Sequence, residues 1–169
     1  MSARLLDCPQ CGAPVNFPSS IAIFAVCEHC RSMIVLRGAN AELIGVMAAL
    51  PPDLSPFQIG TRGEWQGRPF EIVGRIRVEW EQGSWNEWCI LHDGQTTGWL
   101  AEAQGLLMVS FVKTVREPIS VETSDYAPKQ QVTLDGRLWR VTDRKIATYR
   151  SSEGSLPFPV SPGQTLRGQ

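Results

Sequence analysis

Histidine is scarce in this chain. Only His29 and His92 occur in 169 residues, which leaves little room for general acid–base chemistry near neutral pH. No phosphate-cradling glycine loop, G-x-S-x-G elbow or H-E-x-x-H helix is present. No run approaches the roughly eighteen apolar residues of a membrane helix, so no direct membrane insertion is expected. The opening MSARLLDCPQ has no apolar signal core, and a cytoplasmic location is the expectation. The net charge is only −1, so no global field favours nucleic acid. Charge is unevenly spread, however. Residues 38–127 carry 6 basic and 12 acidic side chains, and residues 128–169 carry 7 basic and 3 acidic. Such blocks pair internally or draw a cationic partner.

What is present is cysteine in a pattern. Cys8 and Cys11 stand in CPQCG, Cys27 and Cys30 in CEHCR. Two C-x2-C pairs separated by fifteen residues have the spacing of a zinc site. Each pair offers two thiolates from one tight turn, and Gly12 suits the exit from the first, where a positive φ is often needed. A redox pair would call for a βαβ context, and structural disulfides for an oxidising compartment. Neither context is apparent, so structural zinc is expected. Residues 13–18 and 21–26 read as strands joined at Ser19-Ser20 into a hairpin that returns the second knuckle to the first. Residues 32–36 add a third strand, ended by Gly38. His29 is expected beside the metal or solvated, not as a ligand, and Arg31 is placed to soften the charge of a tetrathiolate. With three arginines and no lysine in residues 1–37, nucleic-acid binding is not expected.

Leu43, Ile44, Met47 and Leu50 recur at helical spacing, which predicts one short helix closed by Pro51-Pro52. Gly45 keeps a strand open as the alternative. Strand texture begins at Ser55. Phe70, Ile72, Gly74, Ile76, Val78 and Trp80 share one face of an extended chain. Glu71, Arg75, Arg77, Glu79 and Glu81 share the other, with Val73 the lone apolar exception. Further strands are expected over 58–65, 85–92, 97–102, 106–113, 131–134 and 137–149, with turns at Gln66-Gly67, Gln82-Gly83, Asp93-Gly94, Gln104-Gly105 and Asp135-Gly136. Residues 116–128 are polar and less patterned. The expected fold is mainly β: a zinc ribbon over 1–38, a short helical connector over 39–52, an antiparallel barrel or sandwich over 53–150, and a Pro/Gly-rich linker tail over 151–169.

Cys89, His92 and Asp93 are close in sequence, but strand alternation sends Cys89 and His92 to opposite faces. Cys89 then reads as a small buried hydrophobe. Six tryptophans occur, four of them between positions 80 and 99. They suit a β core with indole N–H groups capped by side chains such as Asn86. Alternatively, Trp85, Glu87 and Trp88 with Glu79 and Glu81 form an aromatic, acidic lining for an extended cation, each cation–π contact contributing about 0.5–2 kcal/mol. A polyamine or a Lys/Arg-rich peptide fits that description.

The stretches SPFQIGTRGEWQGRPFEIVGRIRVEWEQGSWNEW and DGQTTGWLAEAQG, preceded by CPQCGAPVNFPSS and AVCEHCRSMIVLRG, resemble a bacterial family called domain of unknown function 4178. Longer members continue with a second copy or a membrane segment. The resemblance therefore implies an N-terminal fragment or a short member. Genes of the family often lie near those for polyamine synthesis or membrane-stress proteins, and no activity comes with the resemblance. The residues themselves point to a non-catalytic zinc ribbon and β module used to bind an unidentified protein partner, with cation binding as the alternative.

Overall fold

The structure, a computed structural model, describes residues 3–50, 53–93, 95–112, 114 and 126–167, the side chains of 166 and 167 apart. Among them are fourteen strands and no helix. Pro51-Pro52, Gly94 of the expected Asp93-Gly94 turn, Lys113 at the end of the expected 106–113 strand, and 116–125 of the polar stretch lie outside the described residues.

The longest strand, β7 (Arg68–Trp80), is the spine. On one side it pairs along its length with β8 (Gly83–His92), which carries β9 (Thr96–Ala103) and then β10 (Leu106–Phe111). On the other side its first half pairs with β6 (Arg62–Trp65) and its second half with β13 (Ile146–Leu156). Beyond β13 come β3 (Phe24–Val26), β4 (Ser32–Arg37) and β5 (Asn40–Val46), and β14 (Thr165–Arg167) also pairs with β13. These ten strands make one antiparallel sheet whose path runs from β10 to β5 without closing, so the mainly β, antiparallel fold is as expected and, of the barrel or sandwich, the barrel does not form. Two small ladders stand apart: β1 (Arg4–Asp7) with β2 (Pro14–Phe17), and β11 (Gln131–Leu134) with β12 (Arg137–Arg140).

The alternation expected along β7 is broken once. The β7–β8 register shifts between Ile72 and Gly74, so that Ile72 faces Ile90 and Gly74 faces Cys89. Val73 is the extra residue of a β-bulge, which lets two neighbours point the same way and turns the strand. Phe70 and Ile72 consequently pack with Trp88, Ile90 and Leu100 on one face. Val73, Ile76 and Val78 pack with Cys89, Leu91 and Tyr149 on the other. The lone exception to the sequence pattern is the bulge itself.

Gly74 also faces Gly154 of β13. A Cβ on Gly74 would lie 2.3 Å from the Ser155 carbonyl oxygen, and one on Gly154 would lie 2.5 Å from that of Val73. The two strands meet backbone to backbone where only glycine fits.

Three expectations are corrected here. Residues 40–46 form β5 and not a helix. The Gly38-Ala39 turn folds them back on β4, and pairing with its exposed ladder outweighs a helix already weakened by Gly45, a residue that costs about 1 kcal/mol within helices. Residues 151–156 are no linker but complete β13, and Leu156 and Val160 are fully buried. Polar Ser151, Ser152 and Ser155 disguised a central strand. Ser151 Oγ donates to Ala48 O (2.6 Å) and Ser155 Oγ to Asn16 O (2.6 Å). Finally, the span read as one strand from 137 to 149 is two, β12 and the start of β13.

Candidate metal centre

The two C-x2-C segments are the turns of two hairpins built alike. Before Cys8 runs β1 and after Cys11 runs β2; before Cys27 runs β3 and after Cys30 runs β4. In the first knuckle Gly12 N donates to Cys8 O (2.8 Å) and Cys8 N to Ala13 O (2.8 Å). In the second, Arg31 N donates to Cys27 O (2.8 Å) and Cys27 N to Ser32 O (3.0 Å). Gly12 and Arg31 hold equivalent places, and both have positive φ, 73° and 59°. The strands lie where the sequence put them, but β2 pairs with β1, and β3 with β4 and β13, in place of a β2–β3 hairpin.

This folding brings the four sulfurs within 4.8 Å of one another. Cys8 Sγ lies 3.6 Å from Cys30 Sγ, and Cys11 Sγ 3.7 Å from Cys27 Sγ. A tetrahedron of thiolates about 2.3 Å from a central ion has edges of roughly 3.8 Å, whereas a disulfide needs about 2.05 Å. All four are free thiols. The donor set fits a tetrahedral metal ion, with no position left for substrate. Cys8 and Cys27 are buried in the apolar cluster of Val15, Phe17, Ala22, Ala25 and Ile34, while Cys11 is exposed.

The thiols also differ in acidity. The Ser32 hydroxyl, 3.1 Å from Cys30 Sγ, and the Ser32 backbone N–H bring Cys30 down to about 6. The Ala13 N–H pulls Cys11 downward, but the crowding sulfurs of Cys30, Cys27 and Cys8, with desolvation, push it up to about 12. Four thiols this close cannot all ionise without a cation among them, and a bound metal deprotonates its thiol ligands outright. His29 is exposed, outside the four-sulfur set.

The five residues of the aromatic, acidic lining are divided by the sheet. Trp85 lies opposite Val78, and Trp88 opposite Arg75, so the two indoles occupy different faces. Trp85 Nε1 donates to Glu87 Oε1 (2.7 Å), and burial raises the Glu87 carboxyl above its usual range. Trp88 is only 2% exposed. Glu79 ion-pairs with Arg150 at 3.6 Å, and Glu81 stands in the turn after β7. Cys89 and His92 lie on opposite faces of β8, both buried. Desolvation raises the Cys89 thiol to about 12. His92 Nδ1 lies 3.0 Å from Pro69 O, and its Nε2 has no hydrogen-bond partner.

A polar network escaped the sequence reading. Arg75, 6% exposed, donates to Asn86 Oδ1 through Nε (3.0 Å) and to Asp53 Oδ2 through Nη2. Its guanidinium carbon lies 4.9 Å from the Trp88 ring centroid. Arg77 Nη1 reaches the same Asp53 oxygen (2.7 Å). Asn86 Nδ2 donates to Asp53 (3.0 Å) and to Glu102 (3.2 Å); Trp88 Nε1 and Ser55 Oγ also donate to Glu102, at 3.1 and 2.6 Å. Partial burial works against the charges of Asp53 and Glu102. For Asp53 the Asn86 amide and the two guanidiniums outweigh it, and for Glu102 the Ser55, Trp88 and Asn86 donors do, so both carboxyls are held below their usual range. The network ties the segment after the ribbon to the face of β7–β9. Only the two arginines on one strand face hinted at it, and its keystone, Asp53, lies in a stretch without periodicity.

No helix among the described residues is long and apolar enough to cross a membrane. No curated protein and no solved structure matches the chain. The model of the family described as domain of unknown function (DUF4178) matches residues 58–167, from just before β6 through β14. The chain belongs to that family.

Proposed function

We propose that the protein is a non-catalytic interaction module: a ribbon stapled by one zinc ion and continuous with an open sheet that binds another protein through a free edge. Four thiolates in a closed tetrahedral set suit zinc, a soft-tolerant ion without geometric demands of its own. The observation that carries the interaction role is β10. Among the described residues it is the end strand of the sheet, and Leu106, Leu107, Met108 and Phe111 remain exposed along it, followed by Val112. Sheet edges of that composition are rare in proteins that stay alone. The partner is expected to be protein and not nucleic acid, because the ribbon has three arginines and no lysine. Affinity capture of the tagged chain from its own host, with and without a lysine at Leu107, tests the role. A bound protein lost in the Leu107→Lys variant supports it; nothing retained by the folded, zinc-loaded chain contradicts it.

Cation binding keeps one specific support. Glu79, Trp80 and Glu81, with Ile146, Ala147 and Thr148, line a hollow of about 250 Å³. The ammonium of Lys145 already sits 4.1 Å from the Trp80 ring centroid. An amine able to displace Lys145 would change Trp80 emission. Spermidine titration at low salt tests this, and a flat fluorescence response to millimolar concentration removes it.

A further inference from the structure

The partner of that edge is open to a closer argument, which rests on the interaction role just proposed. Among the described residues the sheet has four strands with a free side, and they are not alike. β5 carries Glu42, ion-paired with Arg37 at 2.7 Å, and a register shift opposite Met33/Ile34 that bends its edge. β6 carries Arg62 and Glu64, and β14 spans only three residues, a short edge. Charges, bulges and short strands of this kind are how proteins blunt an edge against pairing. From Leu106 to Val112 the sequence is LLMVSFV, with no charge, no proline and no glycine. The β9–β10 register runs unbroken from Leu106 opposite Ala103 to Phe111 opposite Gly98. Among the described edges of the sheet, β10 alone carries no such device.

Register tells which groups are free. Gln104 and Gly105 form the two-residue turn, both at positive φ (50° and 78°), so Leu106 and Ala103 are the first bonded pair of the hairpin. Antiparallel bonding alternates from there. The N–H and C=O groups of Leu107, Val109 and Phe111 therefore point away from β9. Their side chains share the face on which Val109 packs against the Trp88 cluster and Phe111 stands 5.4 Å from the His92 ring.

We infer that β10 pairs antiparallel with β10 of a second copy of this chain, about a two-fold axis through Val109. That register sets Val109 opposite Val109, Leu107 opposite Phe111, Met108 opposite Ser110 and Leu106 opposite Val112. It forms about six backbone hydrogen bonds between the copies, two for each bonded pair. Every side-chain pair is aliphatic, aromatic or hydroxyl, and no like charges meet. A charged or amphipathic foreign strand would leave its own charges facing this uncharged edge, whereas a second copy is matched to it by symmetry. The apolar face of Leu107, Val109 and Phe111 becomes continuous with that of the partner, joining the two Trp88 clusters across the axis. Because a two-fold pairing uses the edge completely, assembly closes at two chains. The contact is small, so the dimer is expected to depend on concentration.

Sedimentation of the full zinc-loaded chain over a range of concentrations tests this, beside the Leu107→Lys variant and a Met108→Cys/Ser110→Cys variant. Expected are a mass rising toward twice 18.7 kDa in the parent and a monomer in Leu107→Lys with unchanged circular dichroism and zinc content. The double-cysteine variant is expected to give a disulfide between position 108 of one copy and 110 of the other. Cα atoms of such a non-bonded pair stand about 4.5 Å apart, within reach of a disulfide. A parent that stays monomeric at the highest soluble concentration overturns the inference. So does a dimer that Leu107→Lys leaves intact, or one whose double-cysteine variant cross-links elsewhere. A monomeric parent that still captures a different protein through β10 sinks the second-copy assignment and leaves the interaction role standing.

Discussion

Replacing Asp53 with asparagine removes one negative charge from beneath two guanidiniums at almost no change in volume. Arg75 is the group that suffers, because it is 6% exposed and cannot turn to water. What remains to it is Asn86 Oδ1, which accepts at 3.0 Å, and the ion pair with Glu153 at 3.6 Å. Removing one partner of a buried ion pair costs about 3–5 kcal/mol. Asp53 itself is partly exposed, and Glu153 keeps some compensation, so about 2–3 kcal/mol is expected here. For a chain of this size each kcal/mol moves the melting temperature by roughly 2–4 °C, which gives a fall of about 4–12 °C for Asp53→Asn. The pH dependence carries a second signature. Asp53 and Glu102 have folded-state values below their unfolded ones, so the unfolded chain binds more protons in the acid range. Their stabilisation is then present above the unfolded carboxylate values and lost as pH falls through the folded ones. The parent should lose stability steeply below about pH 4.5, near the unfolded carboxylate range, and Asp53→Asn less steeply. Thermal melts followed by circular dichroism between pH 3 and 7 measure both. A melting temperature within a degree of the parent, with an unchanged acid slope, refutes the network's importance.

Gly74→Ala forces a Cβ against the Ser155 carbonyl of β13, and urea melts should show a loss of at least about 1–3 kcal/mol. Gly63→Ala, whose Cβ would have ring atoms of the Phe70 side chain as its nearest neighbours in place of backbone, should lose clearly less in the same assay. Chelating the metal should raise amide hydrogen exchange not only around residues 8–30 but also at 154–156, because Gly154, Ser155 and Leu156 pair with β3. Exchange confined to the knuckles would show the ribbon and sheet to be mechanically separate.

The most legible feature in the sequence was the most local one. Four cysteines at fixed spacing announced their cluster because each C-x2-C turn is set by its own backbone bonds. The alternation along β7 was equally plain, and even its defect, Val73, was visible as an exception, although its meaning as a bulge depended on β8. Pairing across long separations was not legible. β13 joins residues 154–156 to residues 24–26, and its serines satisfy carbonyls of Ala48 and Asn16, partners more than a hundred positions away. Polar composition there suggested linker. Residues 40–46 showed the reverse failure: apolar spacing favoured a helix, but the unpaired ladder of β4 decided the matter. Asp53 gave no periodic signal, since its role comes from Arg75 and Arg77 on a strand some twenty residues further on.

The most direct test of the account is metal content. Elemental analysis of the chain purified without chelator, beside a Cys27→Ser variant, should give one zinc per parent chain and far less in the variant. Cys27 is buried, and its replacement would leave three sulfurs around the site. A parent without metal, or a Cys27→Ser chain that keeps its full complement of zinc, would contradict the zinc-stapled ribbon on which the rest of the fold is hung.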